Sequence, residues 1–428
     1  VSRSPTRVTD LVDHAFRHFY GRIVARLVRK FGAAELELIE ESTQEAFLAA
    51  LRTWPFRDPP DDPFAWLLRT AHNRSLDNLR RRGRFARLRP RLEQDEVDGK
   101  FRHDSHHLDL QATAGEVSDD TLRLIFMCCH PALARLARVM LTLKTVCGFT
   151  GAEIANALAT NEPTVSQRIL RSKRTLREGD YRFEIPRPEE WVERLPPVLD
   201  VLFLLFNEGY RSAGGPSSIR EDLVDEAIRL VELLALNDVG RRPEVAALRA
   251  MFWFQSSRLG ARIDADGAMI PLAQQDRKKW DVRRISRGLE CLAEAATGEQ
   301  LSDYHLLAEI SAVHATAESV RGTDWARIVR AYDALRSRKP SFIVDLNRAI
   351  AISFERGAEI GLEALDELKD HPAAETDSLY AATRAEFLSR CGLRDSSLGE
   401  FRRAVQRTKN EAERRYLRVR ISQLESER

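Results

Sequence analysis

Gly148-Phe149-Thr150-Gly151-Ala152-Glu153-Ile154-Ala155-Asn156-Ala157-Leu158 and, after a turn, Pro163-Thr164-Val165-Ser166-Gln167-Arg168-Ile169-Leu170 decide how this chain reads. The first segment predicts a short helix over 151–158. Pro163 opens the second helix at a position where a missing N–H costs little. Two short helices joined by a tight turn, the second one basic, form a helix-turn-helix. Ile154, Ala155, Leu158, Val165 and Ile169 are its packing positions. Thr164, Ser166, Gln167, Arg168 and Arg171 then line the outer side, where arginine suits guanine, glutamine suits adenine and hydroxyls suit either. Lys173 and Arg174 are expected on backbone phosphate.

Working outward, apolar residues recur at three- and four-residue steps and strand-type alternation is scarce, so an all-α fold is expected. Leu11, Ala15, Phe19, Ile23, Leu27 and Phe31 mark one helix face, and Leu38, Ala46, Phe47, Ala50 and Leu51 another. The proline-rich stretch 54–63 is a loop, because proline removes donors and fixes φ. A helix over Phe64–Arg82 follows, apolar at its start and strongly basic at its end. Its Arg69, Asn73, Arg74, Asn78, Arg80 and Arg81 form a surface that can follow a nucleic-acid strand. Trp54, Phe56 and Phe64 either stack on an unpaired base or anchor the core; Trp66 is read as core. A new helix is expected from Leu195-Pro196-Pro197. Toward the C-terminus, Asp324-Trp325 to Tyr332 with Asn347-Arg348-Ala349 have the spacing of a tetratricopeptide pair. Tyr380, Ala385, Leu388, Gly392, Glu400 and Ala404 form a looser copy, and an irregular helical bundle is the competing reading.

Charge sharpens the picture. The chain of 428 residues has 67 basic and 65 acidic side chains, so its net charge says little and the distribution matters. Arginines crowd into 69–91, where Asp77 is the one acid, and basic residues crowd again into 168–182. Clusters on a balanced chain point to a local polyanion contact. Residues 84–116 read as a linker running from basic to acidic. His103, His106 and His107 lie in that linker with no cysteine near, and none of the five cysteines forms a CxxC pair, so neither metal nor cofactor is expected. Asp264-Ala265-Asp266-Gly267 lacks the later glutamate of a calcium loop and reads as a turn. No phosphate loop, HExxH or nucleophile elbow is present, and nothing calls the chain an enzyme. Without an apolar leader or a bilayer-length apolar run, a cytoplasmic protein is expected.

Together these motifs resemble the extracytoplasmic-function (ECF) sigma factors of the sigma-70 family. Glu41-Ser42-Thr43-Gln44-Glu45-Ala46-Phe47-Leu48 resembles the part of sigma region 2 that grips the polymerase clamp, with Glu41 where the family usually has Asp. Phe64 to Asp77 resembles the helix that reads the promoter −10 element. The helix-turn-helix is similar to region 4, which reads the −35 element, with Ala159-Thr160 where a Gly often stands. The resemblance divides the chain into region 2 (1–83), the linker (84–116), region 4 (117–184), a helical extension (185–300) and tetratricopeptide-like repeats (301–428). Leu205-Phe206-Asn207-Glu208-Gly209-Tyr210, Asp264 to Gly267, Gln275-Asp276-Arg277 with Trp280, Tyr304-His305-Leu306 and Val313-His314-Ala315 resemble the extension of one ECF subgroup, which often lies beside genes for DGPF/YCII-type proteins.

The resemblance implies a set of partners and roles. Glu41, Gln44, Glu45 and Phe47 would bind core RNA polymerase at its β′ clamp, with region 4 at the β flap, and promoter DNA would take the two basic surfaces. The extension would help control activity, with Asn207, Glu208 and Tyr210 as its exposed candidates and a DGPF/YCII-type protein as a possible partner. Alternatively, Asn207 and Glu208 cap a helix and Tyr210 packs beneath it. Substituting Arg168 should relax promoter choice, whereas substituting Lys173 should weaken all promoters alike. Two rival readings are a helix-turn-helix regulator that needs no polymerase, which predicts a palindromic site and a dimer, and a repeat scaffold that binds no promoter.

Overall fold

The computed structural model describes residues 5–56, 59–81, 83, 114–158, 160–179, 181, 183–210 and 221–426. The expected linker residues 84–113 and the three histidines within it fall outside that set. Among the described residues the regular elements are helical, and the sole β pairing is an isolated bridge between Ile263 and Met269. No helix among them is long and apolar enough to cross a membrane. The chain divides into two compact units, Val1–Leu204 and Leu205–Arg428.

In the first unit, α1 (Pro5–Phe31), α2 (Leu36–Thr53) and α3 (Pro63–Arg81) pack together. Ile23, Leu27 and Phe31 of α1 are buried at helical spacing, as are Ile39, Ala46 and Ala50 of α2 and Leu67, Ala71 and Leu79 of α3. Gly32, at φ 92°, lets the chain turn sharply out of α1. Asp62 Oδ1 accepts from Ala65 N (2.9 Å) and starts α3, with Pro63 in its first turn.

Next come α4 (Ala114–Cys128), α5 (Arg135–Thr145), α6 (Gly151–Ala157) and α7 (Glu162–Glu178). Asp120 of α4 is fully buried and pairs with Arg26 (3.1 Å) and Arg29 (3.3 Å) of α1 and with Arg123 (2.9 Å). Gly21 of α1 lies so close to the chain after α5 that a Cβ there would sit 1.9 Å from the Val146 carbonyl oxygen. A hydrophobic match alone does not need such proximity; it marks a specific seat for α1.

The helix expected from Leu195 begins at Trp191 instead, and α8 spans Trp191–Tyr210 with Pro196 and Pro197 inside it. Glu190 accepts from Arg187 N (3.0 Å), which nucleates the preceding turn four residues early. The first half of α8 belongs to the first unit: Arg194 donates to Phe126 O (3.1 Å) and Asp200 pairs with Arg135 (2.9 Å). The first compact unit therefore runs to Leu204, through the first half of α8.

The second unit stacks α9 (Glu221–Ala235), α10 (Pro243–Ser256), α11 (Val282–Ala295), α12 (Asp303–Thr316), α13 (Trp325–Arg338), α14 (Phe342–Glu355), α15 (Ala358–Asp366), α16 (Ser378–Arg390), α17 (Arg394–Arg407) and α18 (Glu411–Ser426), largely neighbour upon neighbour. Of the residues in the repeat pattern, Ala349, Tyr380, Ala385, Leu388 and Ala404 are buried, Trp325, Tyr332 and Glu400 are half-buried and Gly392 is exposed; Asp324 caps α13 by accepting from Arg327 N (2.9 Å). Asp264 Oδ1 accepts from Asp266 N (3.0 Å) and Ala268 N (2.7 Å), so the Asp-Gly motif is a turn closed on its own backbone, with Gly267 at φ 76°.

Candidate nucleic-acid interface

Both helices of the helix-turn-helix are locally specified. Thr150 N and Oγ1 donate to Glu153 Oε2 (2.8 and 2.9 Å) while Glu153 N donates to Thr150 Oγ1 (3.2 Å), a reciprocal cap for α6. Asn161 Oδ1 accepts from Thr164 N (2.9 Å) and caps α7, with Pro163 in its first turn. Val165, Ile169, Ser172 and Leu176 are buried at steps of four, three and four, so α7 has one inner face.

The outer face of α7 carries Ser166, Gln167, Arg171 and Arg174, all exposed, with Thr164 and Arg168 half-buried at its edge. Arg174 Nε is 2.7 Å from Glu178 Oε1, an exposed pair one turn on. Leu170, 58% exposed among these polar groups, was not singled out by sequence. An apolar side chain on a basic face can meet a thymine methyl. Its signal is its register, one residue after the buried Ile169.

Lys173 is turned away from the outer face. Expected on phosphate, its ammonium instead pairs with Glu40 of α2. Glu40 is only 4% exposed, and its other oxygen accepts from Thr145 Oγ1 (2.6 Å). Lys173 sits one step past buried Ser172 on the helix, so its stem follows the inner side and its charge satisfies a buried carboxylate.

The α3 surface is also mostly outward. Arg69, Asn73, Arg80 and Arg81 are exposed; Asn78 is half-buried and donates to Ser42 Oγ (3.3 Å). Arg74 Nε stands 3.8 Å from Glu45 Oε2, with both groups solvated. The aromatics preceding α3 divide. Trp54 is buried and meets Trp66 edge-on (5.5 Å), and Phe64 packs on Phe19 (5.4 Å) beneath the Arg22 guanidinium (4.6 Å). Phe56 stands 89% exposed, available to stack on a flat partner.

On α2, Glu41 and Gln44 are exposed and Glu45 is half-buried. Phe47, expected on the clamp, is buried instead: it is 3% exposed and meets Phe16 edge-on at 4.9 Å. One residue is about 100° of helix rotation, and the apolar group carried outward beside Gln44 is Leu48, 51% exposed. Tyr210 is buried, as the packing alternative has it, stacked on Phe206 (5.7 Å) and covered by the Arg262 guanidinium (3.8 Å). Asn207 and Glu208 beside it are half-buried.

His72, on the inner side of α3, lies against Phe31 at 5.4 Å and is buried. Burial, helped by the Lys30 charge, pushes its pKa down to about 4, so it is neutral at pH 7 and takes no part in the basic surface.

Three families match separate stretches: Sigma-70 region 2 over residues 16–85, Sigma-70 region 4 over 123–176, and a family of unknown function (DUF6596) over 194–296. An uncharacterized protein of Rhizobium meliloti (strain 1021) is 35% identical over 419 residues, 98% of this chain and 97% of that one. The ECF RNA polymerase sigma factor SigK of Mycobacterium ulcerans (strain Agy99) is 31% identical over 170 residues, 39% of this chain and 81% of that protein. SigK of Mycobacterium tuberculosis (strain ATCC 25618 / H37Rv) is 28% identical over 173 residues, 39% of this chain and 82% of that protein. No solved structure matches.

Proposed function

The chain belongs to the ECF RNA polymerase sigma factors, and on that premise we propose how its own residues direct promoter-specific initiation. The α7 face of Ser166, Gln167, Leu170 and Arg171 reads the −35 duplex, with Arg168 at its edge. Arg171, Arg174 and Arg177 hold phosphate, since Lys173 is engaged elsewhere in this conformation. Arg69, Asn73, Arg74, Asn78, Arg80 and Arg81 follow the −10 strand, and Phe56 stacks on a base that opening has freed. Glu41, Gln44, Glu45 and Leu48 dock on the β′ clamp of core polymerase, and region 4 docks on the β flap. The observation that carries the reading is the two-faced α7, apolar and locked within, polar and basic without.

Regulation by the extension is part of this proposal. Its support is the resemblance of the 205–315 motifs to the ECF subgroup described above and a full-length relative that shares the extension.

The test is transcription from a genomic promoter library by purified core polymerase, with and without the protein. Protein-dependent transcripts sharing spaced −35 and −10 elements are expected; none from any form of the protein would overturn the reading. A chain ending at Leu204, where the first unit ends, isolates the extension's part. If it transcribes as well as the full chain, the extension neither activates nor inhibits.

A further inference from the structure

The second unit encloses a cavity of about 620 Å³, walled by α10, α12, α13, α14, α16 and α18 and by the stretch from Arg262 to Arg277. One wall is aromatic. Trp325 lies flat on Phe354 at 4.3 Å and 11°, and His314 meets the same indole edge-on at 5.3 Å.

The charge around that wall is unbalanced. Arg258, Arg262, Arg277 and Arg390 line the cavity against two glutamates, of which Glu386 is paired with Arg420 and Glu413 is held by hydroxyls, so positive charge is in excess. Glu386 accepts from Tyr416 Oη (2.8 Å) and from Arg420 Nε and Nη2 (2.8 and 3.0 Å). Glu413 accepts from Ser378 Oγ (3.1 Å) and Thr408 Oγ1 (2.5 Å). Among the described residues no carboxylate pairs with Arg258, Arg277 or Arg390. They are held by neutral oxygens: Arg258 by the Tyr210 hydroxyl, Arg277 by His314 O (2.5 Å) and Ala317 O (2.7 Å), Arg390 by Ser353 O (2.9 Å) and its hydroxyl (3.2 Å). Such bonds position a guanidinium without neutralising it.

Two more polar atoms at this wall are buried with no partner among the described residues, Gln275 Oε1 and His314 Nδ1. Buried polar atoms nearly always have partners, so orphans at a cavity wall point to an occupant. Burial and the nearby Arg258 and Arg277 charges push the His314 pKa down to about 3, which leaves a neutral imidazole that can offer an N–H.

We propose that this cavity binds a small organic anion, its carboxylate, sulfonate or phosphate head held by the arginines and its flat apolar body laid against Trp325 and Phe354. The volume favours a small molecule over a protein segment, because it falls within the ~300–1,000 Å³ of small-molecule sites. The site is independent of promoter recognition, and its test uses no polymerase, so the two readings fail separately.

The probe is anilinonaphthalenesulfonate, an aromatic body with an anionic head, titrated into the full chain by fluorescence. Its uncharged analogue phenylnaphthylamine is titrated alongside. One saturable site is expected, with the anion bound about tenfold more tightly than the analogue. Arg258→Gln and Arg390→Gln should each weaken the anion about tenfold and leave the analogue unchanged. Ala382→Trp, which fills the cavity from α16, should abolish both. Near-UV circular dichroism verifies that each variant is folded; two separate arginine variants guard against one failing to fold. The proposal falls if the uncharged analogue binds as tightly as the anion. It falls equally if a folded arginine variant stays within about twofold of the parent, or if folded Ala382→Trp still binds.

Discussion

Replacing Lys173 with methionine removes the cation from a carboxylate with almost no water to turn to. Glu40 is 4% exposed, and without Lys173 the bond that remains to it among the described residues is from Thr145 Oγ1. At a separation of about 3 Å and an effective dielectric near 20, two unit charges attract by about 5 kcal/mol. Desolvation offsets much of that in the intact pair, but removing one member leaves the other's full burial cost. Broken buried pairs typically cost about 3–5 kcal/mol. The Lys173 side chain keeps 16% exposure, so water can partly replace it and the low end, about 3 kcal/mol, applies. For a unit of this size that is a fall in Tm of about 6–12 °C, read by circular dichroism, while the second unit's transition stays in place. Adding Glu40→Leu should restore most of the loss, because an apolar pair of similar volume has nothing left unpaired. If Lys173→Met leaves the midpoint unmoved yet weakens every promoter equally, the lysine is a phosphate contact after all and the seat of α7 on α2 is wrong.

Phe56→Ala should leave Tm unchanged and slow strand opening, since base stacking contributes about 1–3 kcal/mol; permanganate footprinting of the −10 region checks it. Gln167→Ala should change promoter preference, while Arg171→Ala should weaken all promoters and lower the salt dependence of binding by about one ion, as read by titrations at several salt concentrations. Phe47→Ala should cost about 3–4 kcal/mol of stability, whereas Leu48→Glu should leave Tm alone and weaken retention on immobilised core polymerase. His72 titrates near pH 4 in the folded chain and near 6.5 unfolded, so the unfolded state binds more protons between them and stability falls as pH drops through that window. The loss reaches at most about 3 kcal/mol, and His72→Phe should remove this part of the slope in pH-dependent denaturant melts.

The sequence carried the helix-turn-helix because its evidence is local. Asn161, Pro163 and the spacing of Val165 and Ile169 lie within ten residues and act within one turn of chain. Phe47 and Leu48 show where locality ends. Two adjacent large apolar residues fit either rotation of α2, and only α1, which supplies Phe16, selects the inner one. The partner of Lys173 lies 133 residues away, a distance that no periodicity reports. Trp54 and Phe56 share one loop and differ only in what happens to pack over each. Trp325 stood out in the sequence by its spacing, yet its place in a cavity wall depends on Arg258 and Arg390, which other segments deliver.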